Sequence, residues 1–290
     1  MTTNPSIFVE SSTVISNKKF KGNQHILRLL APKCATSAKP GQFVQIQCGS
    51  QHLLKRPLSL QLVSKSSGWI EILFRIVGSG TTHLATLKTN DTVEVMGPIG
   101  KEFQLQPQIR KYLLIGGGVG IPPMIFAAHN ITKETNHLSP FVIMGSETPF
   151  PFNPKPSQFL LDGIPNDVIA AMPLLESWGV PSRLTSLTDM AGCHQGYVTD
   201  LARLWLTECS TATLKQIIIL SCGPTPMLKA VASLAREFNV DCQVSLEEYM
   251  ACAVGGCAGC VVPIKTTLGI SMKRVCVDGP VFNANDVFFE

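Results

Sequence analysis

The sequence predicts a multi-domain β + α/β protein. An N-terminal antiparallel β-barrel spans residues 1–107, a parallel-sheet α/β domain 108–245, and a small cysteine-rich domain 246–290. Three observations predict it. Short β-branched and apolar segments recur up to about residue 107, each closed by turn residues, as in a closed barrel. Strands then alternate with helical stretches, the pattern of a parallel sheet with crossover connections. The last fifth of the chain gathers Cys252, Cys257 and Cys260 into one C-x4-C-x2-C loop, with Cys276 following.

The barrel strands are expected at Ser6–Val14, His25–Leu30, Gln42–Gln47, Leu58–Val63, Trp69–Ile76 and Thr92–Met96. Lys39-Pro40-Gly41, Ser66-Ser67-Gly68, Asn90-Asp91 and Gly97-Pro98 mark turns between them. The pattern changes near residue 110. Lys111–Ile115 is a short apolar strand, followed by a glycine loop and a helix opening at Pro122, where proline is tolerated in the first turn. Strands are expected at Phe141–Met144, Ser182–Leu187, Gln216–Leu220 and Cys242–Ser245, and helices at Val198–Thr207 and Thr225–Phe238. Residues Thr148 to Asn166, rich in proline and aromatics, predict an irregular insertion. The stretch Val261 to Val275 predicts a hairpin that carries the chain to Cys276.

Composition narrows the function classes. The 290 residues suffice for two or three domains. Charged residues make up 15%, below the usual quarter, and the net charge of +4 has no concentrated basic run, so nucleic-acid binding has little support. No apolar run reaches about 18 residues, so no membrane span is expected. The opening MTTNPSIFVE lacks a basic stretch followed by an apolar one, so no signal peptide is expected. A cytoplasmic location is expected, in which the ten cysteines would stay reduced or metal-bound. Cys34, Cys48, Cys193, Cys209 and Cys242 are expected as ordinary buried thiols.

The cysteine spacing C-x4-C-x2-C…C is the ligand order of a plant-type [2Fe–2S] centre. Ala251, Ala253, Gly255, Gly256, Ala258 and Gly259 sit among the thiols, small enough to let the loop wrap closely and aim N–H groups at sulfur. A four-cysteine zinc site normally uses two C-x2-C knuckles, and the second is missing here. A [2Fe–2S] centre moves single electrons, so the rest of the chain must supply a donor and an acceptor.

Three further constellations fit that requirement. Arg56-Pro57-Leu58-Ser59 lies at a barrel edge, where an arginine can pair with phosphate. Leu73-Phe74-Arg75 ends a strand and leads through Gly78-Ser79-Gly80-Thr81 to an expected helix over Thr82–Leu87, a second phosphate-competent element. Together they suit a dinucleotide such as FAD. Gly116-Gly117-Gly118-Val119-Gly120-Ile121-Pro122 follows a strand and opens a helix, the setting for a nucleotide pyrophosphate, though not an ordinary G-x-G-x-x-G. Glu147 lies past the next strand, where a carboxylate accepts from ribose hydroxyls and repels a 2′-phosphate, favouring NAD over NADP. Cys222-Gly223-Pro224 sits at the end of a central strand, so Cys222 is either a buried filler or a nicotinamide neighbour. The chain has no H-E-x-x-H, G-x-S-x-G or Walker lysine.

With these pieces in order, the chain resembles the ferredoxin–NADP reductase superfamily and, more closely, the electron-transfer subunits of NAD-dependent dihydroorotate dehydrogenases. Arg56-Pro57-Leu58-Ser59 matches the flavin motif R-P-x-S, and Leu73-Phe74-Arg75 and Gly80-Thr81 match its other FAD elements. Gly116 to Pro122 and Cys222-Gly223-Pro224 match its nicotinamide loops. Glu247-Glu248-Tyr249-Met250-Ala251-Cys252 and the later cysteines match its cluster signature. The wider superfamily has an aromatic where Leu58 stands, and the proline-rich insertion matches nothing in the pattern.

The resemblance implies an oxidoreductase subunit with FAD, a [2Fe–2S] cluster and NAD, active with an FMN-containing catalytic subunit in a heterotetramer. Electrons from dihydroorotate would pass through the cluster to FAD and on to NAD⁺, in pyrimidine biosynthesis. It places Ser59 near flavin N5, Arg56 and Arg75 near the phosphates, and Cys222 beside the nicotinamide. Ser59 and Cys222 are thus the expected catalytic residues. Two alternatives stay open: the same module serving a hydrogenase, a sulfide dehydrogenase or a ferredoxin transhydrogenase, and a zinc-stabilised binding module without redox chemistry.

Overall fold

The computed structural model describes residues 7–106, 109–134 and 138–289. The boundary expected between residues 107 and 108 lies outside the described residues, as does Ser6 at the start of the first expected strand. Six strands form a closed antiparallel barrel: β1 (Phe8–Phe20), β2 (Gln24–Leu30), β3 (Phe43–Ile46), β4 (Arg56–Ser64), β5 (Trp69–Arg75) and β6 (Thr92–Ile99), in spatial order β1-β2-β5-β4-β3-β6. Helix α1 (Pro32–Ser37) follows β2 and α2 (Ser79–Thr86) follows β5. Alternation fills the interior: Leu27 and Leu29 of β2 meet Ile70, Ile72 and Phe74 of β5, with Val44, Ile46, Leu60 and Val95 around them. β1 runs six residues past its expected end, with a register shift between Val14 and Ser16, and so spans the pairing with both β6 and β2.

The α/β region runs through β7 (Lys111–Gly117), α3 (Ile121–Glu134), β8 (Ser139–Gly145), β9 (Lys155–Pro156), β10 (Ala170–Ala171), α4 (Pro173–Ser177), β11 (Ser182–Ser186), β12 (His194–Gln195), α5 (Val198–Thr207), α6 (Thr211–Leu214), β13 (Ile217–Cys222), α7 (Thr225–Glu237) and β14 (Asp241–Ser245). β9 and β10 pair only with each other; the central order is β12-β11-β8-β7-β13-β14, all parallel. Helices cover both faces, which is why Ile217–Cys222 is apolar nearly throughout and buried at every position. The insertion from Thr148 to Asn166 is irregular apart from the two residues of β9.

After β14 the chain makes the cysteine loop, then the hairpin β15 (Val261–Thr266) and β16 (Gly269–Arg274), then β17 (Val281–Asn283) and α8 (Ala284–Val287). β17 adds an antiparallel strand to β14 and closes that edge of the central sheet. The segment leading into it is wedged against the barrel: Lys101 N donates to Gly279 O, and Lys101 bridges to Pro280. Gly100 has φ +87, and a Cβ there would stand 2.3 Å from Pro280 Cδ, so only glycine fits. Gln104 and Gln243 exchange backbone-to-side-chain hydrogen bonds of 2.9 and 2.8 Å, a second tie between the barrel's exit and the sheet. Phe126 of α3 is buried in the barrel's own core cluster. No helix among the described residues is long and apolar enough to cross a membrane.

Candidate redox site

The barrel brings two of the expected motifs together. Arg56-Pro57-Leu58-Ser59 forms the start of β4, paired with β3 from Ile46 back to Phe43, and all four residues are half-buried. Arg56 Nη1 donates to Leu54 O at 2.7 Å. The rest of its guanidinium lies over the first turn of α2, where a Cβ on Gly80 would come within 2.8 Å of Arg56 Nε. Helix α2 begins at Ser79, three residues before its expected start. Thr81 explains the early start: its Oγ1 accepts from the N–H of Val77 at 2.9 Å and donates to Gly78 O at 3.0 Å. A cationic fork and a helix N-terminus therefore face the same space, the chemistry of a phosphate cradle.

Arg75, the last residue of β5, is exposed. Leu73 and Phe74 are buried, and the Phe74 ring stacks on His25 at 5.4 Å inside the barrel, so Phe74 supports the strand from within. β5 packs against the turn Gly118–Gly120, so the barrel and the glycine loop of the α/β region meet there.

In the central sheet, β7 and β13 run parallel with Gly116 opposite Cys222. The glycine loop is crowded by what it packs on. A Cβ at Gly120 would lie 2.3 Å from Cys222 O, and one at Gly117 would lie 2.4 Å from Met227 Sδ. Gly118 takes φ +55, with open space around its Cα. Pro122 is the second residue of the fourteen-residue α3, whose N-terminus opens at the carboxyl edge of the sheet. Cys222-Gly223-Pro224 forms the companion turn into α7. Glu147, just beyond β8, is exposed.

Cys222 is fully buried, and burial, then the carboxylate of Glu247, push its thiol well above the ordinary range. It is a neutral thiol at neutral pH, a packing wall rather than a nucleophile. Glu247 is exposed as a residue, yet its Oε1 stands 4.0 Å from Cys222 Sγ, and desolvation raises its carboxyl above the usual carboxylate range. The sequence placed Glu247 only within the cluster signature; its position between that loop and the glycine loop comes from β14 ending beside β13.

The four cysteines expected to hold iron are brought together in two pairs. Cys257 N–H donates to Cys252 Sγ at 3.3 Å. Cys260 and Cys276 stand sulfur to sulfur at 3.4 Å, across the base of the hairpin. Among the described residues, no three His, Cys, Asp or Glu side chains converge tightly enough for a single ion. A two-by-two arrangement fits a centre that needs two thiolates for each of two irons. The loop is built to serve sulfur: Ala253, Gly255 and Ala258 all take positive φ, turning amides inward. The N–H of Val254 leads in lowering Cys252 to about 7. Burial, and then Cys260, push Cys276 up to about 12. Gln45 of β3 donates to Ala251 O at 3.3 Å, tying this loop to the barrel. Of the other cysteines, Cys34, Cys48 and Cys242 are buried as expected, while Cys193 and Cys209 are half-buried.

Residues 247–288 match the iron–sulfur cluster binding domain of dihydroorotate dehydrogenase B, and residues 11–103 match the oxidoreductase FAD-binding domain. A Fusobacterium nucleatum protein described as dihydroorotate dehydrogenase B (NAD(+)), electron transfer subunit, is 31% identical over 286 residues, covering 97% of this chain and 99% of its own. The chain belongs to this family. Family members of the same description from Caldanaerobacter subterraneus (32% identical, 86% of this chain and 87% of that one) and Geobacillus kaustophilus (33%, 96% and 98%) bracket the same length. Among solved structures, an NADH-dependent reduced ferredoxin-NADP oxidoreductase studied for flavin-based electron bifurcation superposes with a TM-score of 0.76 at 26% identity, over 95% of this chain and 89% of that one. A ferredoxin reductase of carbazole 1,9a-dioxygenase shares the fold at a TM-score of 0.60 and 20% identity, over 80% of this chain and 65% of that one. The chain is therefore an oxidoreductase electron-transfer subunit of the ferredoxin-reductase fold, with an FAD-binding barrel and an iron–sulfur domain.

Two site features of this family member were missed from sequence. Glu247 carried only the weak signal of an acid in the stretch before Cys252. Arg274 carried none beyond being a cation two residues before Cys276; its Nη1 donates to Gly255 O at 3.2 Å and so braces the cysteine loop.

Proposed function

We propose that the chain carries electrons from an FMN-containing dihydroorotate dehydrogenase catalytic subunit to NAD⁺, as one component of a cytoplasmic heterotetramer in pyrimidine biosynthesis. The observation that carries the reading is the run from Cys222 through Glu247 to Cys252. Glu247, in the stretch leading to Cys252, stands beside Cys222 at the end of β13, which supports a short path between the cysteines and a nicotinamide bound there. We assign the functional units to residues 1–107 for FAD, 108–245 for NAD and 246–290 for the cluster.

When bound, the flavin trades electrons in pairs and the iron–sulfur centre trades them singly, which is why both are needed. The chain's own residues bind, orient and insulate. Arg56 and the N–H groups at Gly80 and Thr81 hold the flavin phosphates, with Arg75 beside them. Pro57 and Leu58 would wall a bound flavin, the backbone at Leu73 and Phe74 would line it at the strand end, and the Ser59 hydroxyl would offer it a hydrogen bond near N5. Gly116, Gly117, Gly118 and Gly120 let the NAD pyrophosphate approach the start of α3 at Pro122, while Glu147 accepts from the ribose. Cys222, with Gly223 and Pro224, bounds the nicotinamide and keeps water from it. Cys252, Cys257, Cys260 and Cys276 hold the irons.

The test combines the purified full chain with the family's catalytic subunit, dihydroorotate and NAD⁺, and follows NADH absorbance. NADH formation that needs both proteins and dihydroorotate supports the reading. A chain that reduces a dye with NADH but never couples to dihydroorotate would assign the module to another partner.

A further inference from the structure

Arg274 stands at the end of β16, outside the four thiols. Its Nη1 donates to Gly255 O at 3.2 Å, and its Nε and backbone N–H reach Asp278 Oδ2 at 3.4 and 2.9 Å. Gly255 takes φ +83, and a Cβ there would lie 2.7 Å from Val277 Cγ2 and 3.2 Å from Arg274 Nη1. Glycine at this position is what lets the guanidinium reach the carbonyl.

The Gly255 carbonyl and the Gly256 N–H belong to one peptide unit. That unit is trans, the cis bonds among the described residues being Gly97-Pro98 and Gly279-Pro280. In a trans peptide the C=O and N–H point in opposite directions. Here the carbonyl accepts from Arg274, so the Gly256 N–H is turned the other way, into the loop where the next amide, Cys257 N–H, donates to Cys252 Sγ at 3.3 Å. A cation on the carbonyl side polarises the amide and strengthens what its N–H donates. Hydrogen bonds to the sulfurs and nearby charge are the protein's means of setting the potential of such a centre.

We propose that Arg274 is a positioning residue for the iron–sulfur centre: it fixes the Gly255–Gly256 peptide so that this N–H serves Cys252, and it raises the centre's reduction potential, with Asp278 opposing its charge. The inference rests on the reading of the four cysteines as [2Fe–2S] ligands.

The experiment is a redox titration of the purified full chain, followed by visible absorbance and by the paramagnetic signal of the reduced centre, with iron counted in each sample. Arg274→Met removes the charge. Its midpoint falls on the order of 59 mV, about a tenfold loss in the ratio of reduced to oxidised centre for a one-electron couple. Arg274→Lys, a cation without the fork, recovers part of that shift. Asp278→Asn keeps an acceptor for the Arg274 N–H but removes the opposing charge, and its midpoint rises. Opposite signs from the two variants are not the product of a merely loosened loop. If Arg274→Met loses its iron, Asp278→Asn decides alone, and an unmoved or lowered midpoint overturns the inference. Wild-type protein without iron overturns the underlying cluster assignment; iron present with unmoved midpoints overturns only the role of Arg274.

Discussion

Single atoms decide much of this site. Cys257 is the exposed member of the cage. Cys257→Ser is expected to abolish the iron–sulfur absorbance while FAD stays bound, since the barrel motifs lie on separate elements; visible spectra of the purified variant check this, and an intact cluster band counts against the ligand assignment. Gly120 has no room for a methyl group, with Cys222 O at 2.3 Å from a built Cβ. Gly120→Ala should cost about 1–3 kcal/mol of stability by overpacking, and it should weaken NAD binding because the loop and the turn at Cys222 must part; thermal unfolding and NADH titration measure the two. Glu247 gives a pH signature. Burial raises its carboxyl, so the folded chain keeps a proton that the unfolded chain has already released. Stability from this group therefore falls as pH rises from the ordinary glutamate value to the raised one, then levels. Glu247→Gln should flatten that part of the stability profile, as read by denaturant midpoints across pH.

At the scale of elements, the N-terminus of α2 is the instructive case. Pattern alone put its start at Thr82, because glycine and serine before it look like turn residues. The structure starts it at Ser79, because Thr81 Oγ1 satisfies the N–H groups of Val77 and Gly78 and so stabilises an earlier turn. Gly80 thereby falls under Arg56. Gly80→Val would push the guanidinium off the helix end, and FAD affinity should drop about tenfold or more, at least 1.4 kcal/mol; flavin fluorescence titration of the apoprotein checks it, with unchanged affinity counting against the cradle. β13 shows the opposite situation. Its run of isoleucines and leucine was readable because a strand buried on both faces has to be apolar throughout. The two-residue strands β9, β10 and β12 were not readable, since two residues carry no period.

For the molecule as a whole, the C-terminal segment has a reach that its sequence did not announce. Residues 279–283 pass between Gly100 of the barrel exit and β14, then complete the central sheet as β17. Truncation after Asp278 would uncover β14 and remove the buried side chains of Val281 and Ala284. The loss should be about 2–4 kcal/mol by apolar burial, and it should loosen the barrel and the sheet together. A single lowered transition in calorimetry is the expected result, whereas an unchanged barrel transition would mean that the segment does not couple the two. The same wedge explains why the cluster unit is not a free appendage: it hangs from β14 at one end and returns to it as β17 at the other.

The sequence by itself determined the local chemistry: the strand and helix periods, the glycines at backbone approaches, and the cysteine spacing that names a two-iron centre. These are legible because each rests on a few neighbouring residues. Tertiary structure alone decided that Arg56 lies on Gly80, that Glu247 turns in to Cys222, that Arg274 grips Gly255, and that the chain's end closes the central sheet. Each of those joins residues through packing between elements, and contact between elements that pack from afar leaves no period or spacing in the chain to read.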